Sequence, residues 1–150
     1  MGKLIKTMGF ALAVLVTVSA ILLFSDLENR KEKSGPARIC LITLVENYTL
    51  EEAIAGVGEG LKESGLEEGK DYVMKQYSAQ GEMGQLPQII DAVLQEKPGA
   101  IITVTTPALI ATARKVTTIP IIFTVASDPV RLGIFSGGRP ANICGVYDNP

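Results

Sequence analysis

Along residues 37–147 the apolar positions follow two rhythms, and the alternation between them lays out the chain. Residues 37–45 (ARICLITLV) are apolar on both faces of an extended segment: Ile39, Leu41 and Val45 point one way, and Cys40, Ile42 and Leu44 the other. Burial on both faces marks a central strand of a parallel sheet. The run ends at Glu46-Asn47-Tyr48. Thr49, with Glu52 three residues on, reads as a capping box opening a helix, and Leu50, Ala53, Ile54, Val57 and Leu61 form its apolar stripe. Gly65 is placed to stop it. Residues 71–78 (DYVMKQYS) mix polar and apolar side chains, and Lys75 and Gln76 suit an edge strand. Gly81 breaks that strand. A second helix over 84–96 buries Leu86, Ile89, Ile90, Val93 and Leu94, with Pro87 tolerated in its first turn.

The stretch 99–130 organises the rest. Two apolar runs, 100–104 and 119–125, flank a helical segment at 107–116, a strand–helix–strand unit of the kind that builds parallel sheets. Thr106 is expected as N-cap and Pro107 as the first helical residue, with Arg114 and Lys115 placed where positive charge suits the helix dipole. After Asp128-Pro129 come a short segment, a loop at 137–140 and a last apolar run at 142–147. The order β-α-β-α-β-α-β with a further β predicts a doubly wound α/β domain, its parallel sheet in the flavodoxin-like order 2-1-3-4-5. In such sheets ligands sit beyond the C-terminal ends of the strands. Here those ends are Thr105-Thr106-Pro107 and Ala126-Ser127-Asp128-Pro129.

The N-terminus follows a different pattern. Lys3 and Lys6 precede an uncharged run at 8–24, the layout of an export signal at the short limit for spanning a bilayer. Val18-Ser19-Ala20 offers small residues for cleavage, but the apolar run continues through Phe24, so residues 1–24 are read as a signal peptide or a signal anchor. In both cases Lys3 and Lys6 stay in the cytoplasm and the rest crosses, which puts residues 37–150 outside the cytoplasm. Residues 25–36 (SDLENRKEKSGP) form a charged linker.

Composition narrows the chemistry. The net charge of −2 leaves no basic footprint for nucleic acid. The 150 residues contain no His and no Trp, which removes the commonest general base and metal ligand. Cys40 and Cys144 are the only cysteines, and no spacing rule supports a disulfide between them. Gly56, Gly58 and Gly60 resemble a dinucleotide loop only superficially: they lie within a helix, and Leu61 stands where GxGxxG needs glycine. Close packing of that helix on the sheet is the expected reason for them. Asn47-Tyr48-Thr49 is a formal glycosylation sequon, read as coincidence beside the capping role of Thr49. No nucleophile has a base beside it in the pattern, so the chain is not expected to be an enzyme, and no cofactor is called for.

AQGEMGQLPQII, EKPGAIITVTTPA, IPIIFTVASDPV and the later GG…N…GV resemble the ABC-transporter substrate-binding family that includes the tryptophan/tyrosine-binding lipoproteins. The resemblance covers about residues 39–147. It implies one lobe of a type I periplasmic binding protein: two α/β lobes enclose a cleft, and an amino acid or similar small solute is delivered to an ABC permease. It also implies that the loops after the first, third and fourth strands line the cleft, which nominates Glu46, Asn47, Tyr48, Thr105, Thr106, Ser127 and Asp128 as ligand-binding. An amino-acid carboxylate would suit the helix start at Pro107 with the Thr105 and Thr106 hydroxyls. Asp128 or Glu46 would hold the ammonium, and Tyr48 would pack on the side chain. Two simpler roles stand beside these: Thr106 as a helix cap, and Asp128 as a turn former before Pro129. The chain departs from the pattern in having no lipid-attachment Cys after its apolar run and in matching the first lobe only, so a truncated lobe at 37–150 is expected. A membrane-anchored sensory or interaction module built on the same lobe is the alternative function. A flavodoxin-like enzyme ranks third.

Overall fold

The first strand of the domain is β1 (Ala37–Thr43), an interior strand of the sheet whose residues 40–43 are buried. The computed structural model of the protein describes residues 16–19, 35–135 and 140–147. The chain divides into two compact units, Met1–Gly35 and Pro36–Pro150. In the first, only the short helical stretch 16–19 and Gly35 are described, so the export segment expected at 1–24 and the linker at 25–36 lie almost wholly outside the described residues. Among the described residues no helix is long and apolar enough to cross a membrane.

In the second unit β1 is followed by α1 (Tyr48–Glu63), β2 (Tyr72–Ser78), a 3₁₀ turn (Met83–Gln85), α2 (Leu86–Gln95), β3 (Ala100–Val104), α3 (Thr106–Lys115), β4 (Ile121–Ala126) and β5 (Ile143–Tyr147). The five strands run parallel in the order β2-β1-β3-β4-β5, as the sequence predicts. Both faces of β1 find cover. Leu41 joins Leu50 of α1 with Ile102 and Val104 of β3 on one face. On the other, Cys40 and Ile42 meet Leu86, Ile90 and Val93 of α2 and Ala108 and Leu109 of α3. Burial pushes the Cys40 thiol above its ordinary pKa, so it is a protonated core residue. With α1 on one face and α2 and α3 on the other, the winding reverses between β1 and β3, and that reversal opens a crevice at the C-terminal ends of those strands.

Several local expectations change. The cap of α1 is Asn47, not Thr49: the Asn47 side-chain oxygen accepts from the Leu50 N–H at 3.0 Å. One residue decides this, because Asn47 is extended and the helix already starts at Tyr48. The stop at Gly65 holds: Gly65 adopts φ +82°, its N–H reaches Lys62 O at 2.9 Å and the Leu66 N–H reaches Leu61 O at 3.1 Å. Gly56, Gly58 and Gly60 do not pack closely on the sheet, since a Cβ at any of them would meet nothing within 4 Å. The glycine that close approach does require is Gly145 on β5, where a Cβ would lie 2.1 Å from Phe123 O.

The edge strand β2 is fastened from the far end of α2. Lys75 and Tyr77 both donate to the Glu96 carboxylate, and Arg38 Nη1 donates to Glu96 O at 2.9 Å. Glu96 follows the last residue of α2, so the cations also meet the negative end of its dipole. Hydrogen bonds from Lys75 and Tyr77 hold the Glu96 carboxyl below its usual range, and the bond to Glu96 raises Lys75.

Candidate functional site

Parallel pairing brings the strand ends together. Thr43 pairs with Val104 and Val104 with Thr124, so the loops leaving β1, β3 and β4 emerge side by side on one edge of the sheet. All seven expected site residues lie on those loops or, for Tyr48 and Thr106, on the first residue of the helix that follows. They do not all have free polar groups.

After β1, Glu46, Asn47 and Tyr48 are exposed, Tyr48 at 73%. Asn47 is occupied as the α1 cap, so its side-chain oxygen is committed to the backbone. Glu46 lines a pocket of about 250 Å³ with Thr43, Glu51, Gln76 and Ser78, between α1 and the ends of β1 and β2. Gln76 and Ser78 are neighbours of the site that the sequence reading passes over. The available signal was the period of two along β2, which sets both on the α1 face, and the pairing of Ser78 with Thr43.

The loops after β3 and β4 are bonded to each other. Thr105, not Thr106, is the residue flanking α3, and its side chain makes no capping hydrogen bond. It holds φ 105° and ψ 146°, a region that favours glycine, and its hydroxyl is buried without a partner. Such a conformation costs on the order of 1–3 kcal/mol. Thr106 is the first residue of α3 and Pro107 the second, so the helix starts one residue earlier than the sequence predicts. The Thr106 hydroxyl caps nothing in its own helix. Its oxygen accepts from the Ser127 N–H at 2.9 Å and lies 3.3 Å from Ser127 Oγ. On the β4 side, Val125 sits at φ +50° beside an irregularity in pairing between Phe123 and Ala126. Asp128 Oδ1 accepts from the Val130 N–H at 2.8 Å, the turn-forming role, while Oδ2 lies 3.9 Å from Arg131 Nε. Ser127 is exposed, and Asp128 is partly exposed.

The candidate site therefore offers an exposed hydroxyl, Ser127, and a partly exposed carboxylate, Asp128, on the loop after β4, with Glu46 and Tyr48 exposed after β1 on the same edge of the sheet. That array can hydrogen-bond a small zwitterion. Among the described residues no group of three or more Cys, Asp or Glu side chains could hold a metal ion.

The family model described as ABC transporter substrate binding protein matches residues 38–150. The chain is 30% identical over 124 residues to the tyrosine-binding protein of Clostridioides difficile, covering 81% of this chain and 36% of that protein. Among solved structures, a conserved domain protein from Vibrio cholerae superimposes with a TM-score of 0.69 at 31% identity, over 75% of this chain and 38% of the other. A ligand-free, open substrate-binding protein with adhesive properties from Clostridium difficile gives 0.66 at 27% identity, over 73% and 38%. A Streptococcus domain solved with L-Trp gives 0.67 at 19% identity over 74% and 38%, a likeness of fold. The chain thus spans little more than a third of the length of each relative.

Proposed function

We propose that this chain, which belongs to the ABC transporter substrate-binding protein family, supplies one wall of a cleft that holds an amino acid for an ABC importer. The observation that carries the proposal is the convergence of the β1, β3 and β4 loops at the point where the sheet reverses its winding. The resemblance to a tyrosine-binding protein makes tyrosine the first solute to test. In this reading Ser127 and the amino end of α3 receive the carboxylate. Asp128 and Glu46 face the ammonium, and Tyr48 packs against the ring. The partner is the permease of the transporter. Residues 1–24 act as export signal or anchor and 25–36 as tether, which places 37–150 outside the cytoplasm.

Titration of the ¹⁵N-labelled chain with L-tyrosine, followed by amide chemical shifts, tests the site. Shifts confined to residues 46–48, 105–108 and 127–128 are expected; shifts elsewhere, or none with any amino acid, refute it. A phosphatase fused after residue 36 should be active only if the N-terminal segment exports it.

A further inference from the structure

The loop after β4 is bonded by a side chain at the start of α3. Thr106 Oγ1 accepts from the Ser127 N–H at 2.9 Å and lies 3.3 Å from Ser127 Oγ. The residues around this strap are in unfavourable backbone conformations: Thr105 at φ 105° immediately before it and Val125 at φ +50° two residues before Ser127, both β-branched. Strain of this kind persists only where surrounding contacts over-determine it. The Thr105 N–H to Thr124 O bond, at 3.3 Å, is long, so the strap is the closer of these two links between the loops.

The Ser127 N–H bond to Thr106 Oγ1, at 2.9 Å, fixes the backbone from which the Ser127 side chain springs, and the two hydroxyl oxygens lie 3.3 Å apart, where either can donate. We infer that Thr106 is a positioning residue: it fixes the Ser127 backbone and thereby places the exposed Ser127 hydroxyl that a solute carboxylate meets. This rests on the amino-acid-binding reading above and divides the two hydroxyls that the resemblance treats alike.

Two readouts separate the claims, with L-tyrosine and L-tryptophan as probes of the 150-residue chain. The first is hydrogen exchange of the Ser127 amide, whose acceptor is Thr106 Oγ1. The second is affinity from amide shifts. Thr106→Val should lower Ser127 protection and affinity each by roughly tenfold, the loss of about one hydrogen bond. Thr106→Ser should restore both to within about twofold. Ser127→Ala should keep the protection at position 127 and still weaken binding. Thr106→Ala replaces the valine variant if that one does not fold. If Thr106→Val weakens binding while Ser127 stays protected, Thr106 touches the solute itself and the positioning role fails. Unchanged affinity in Thr106→Val or in Ser127→Ala also overturns it. A wild-type chain that binds neither probe overturns the solute-binding reading, and the positioning role with it.

Discussion

Asp128 closes a turn and, on the proposed reading, also faces the solute ammonium, and the two roles can be separated. Oδ1 accepts from the Val130 N–H at 2.8 Å, and Oδ2 lies 3.9 Å from Arg131 Nε. Asp128→Asn keeps an acceptor for the turn and removes the charge. It should therefore leave the melting temperature within about 2 °C while weakening amino-acid binding about tenfold, by the loss of one charge-assisted bond. Calorimetric melting with shift titration checks both. Asp128→Ala should lose turn and affinity together. The neighbouring Thr105 gives the opposite case. Its φ of 105° and its buried, unpartnered hydroxyl both cost stability. Thr105→Gly removes both costs at the expense of backbone entropy in the unfolded chain, and should stabilise by about 1 kcal/mol in urea unfolding. A loss of stability would mean that the threonine methyl packs more favourably than its strain costs. Neither conformation was legible in the residues. TTPA carries a proper cap-and-proline signal, but α3 starts one residue earlier, and the Thr106 hydroxyl is engaged with Ser127 in the loop after β4, 21 positions away.

The elements differ in how fully their own sequence determines them. The strands were legible because burial on alternate or both faces writes itself directly into composition; β1 and β3 are as apolar as their central places require. Helix α1 was legible in its stripe and in its stop at Gly65, but not in its three internal glycines. They lie where a Cβ would meet open space, so packing does not account for them, and nothing in the structure explains them. Gly56→Ala and Gly60→Ala should each stabilise by about 0.5–1 kcal/mol through helix propensity alone, seen as a higher urea midpoint with unchanged slope. Edge strand β2 relies on the Glu96 contacts, and these fix the sign of a pH dependence. The hydrogen bonds from Lys75 and Tyr77 lower the Glu96 carboxyl, so their stabilisation is present above the usual carboxylate range and is lost as pH falls through the lowered value. The Lys75 ammonium is raised by the same bond, and its share is lost only as pH rises through that raised value. The melting temperature of the wild type should thus exceed that of Glu96→Gln at neutral pH, and the two should converge once pH falls below the lowered carboxyl value. A gap that persists unchanged in acid would show that the carboxylate charge contributes nothing.

For the whole molecule, topology was legible to the order of its strands, and from topology the edge on which the candidate site is proposed. The division of labour on that edge was not, because it depends on hydrogen bonds between loops far apart in sequence. Ser127 to Thr106 is one such bond, and the pocket that Glu46 and Ser78 line together also joins residues far apart in sequence. The shape of the edge also decides how tightly it can bind. Glu46, Tyr48 and Ser127 are exposed, with Tyr48 at 73%, so a solute resting there keeps much of its surface in water. Ligand sites of high affinity bury most of the ligand, and the polar groups here meet water as well as solute. The wall offers a carboxylate donor, an ammonium acceptor and one ring face, and a few such contacts must offset the loss of translational and rotational freedom. That leaves about 4 kcal/mol, a Kd on the order of 1 mM. Residues 35–147 alone should accordingly bind L-tyrosine in fast exchange on the chemical-shift timescale, with a dissociation constant near that value. Micromolar binding by this segment would mean that its own loops close over the solute, in which case the Tyr48 ring should become protected from solvent on titration.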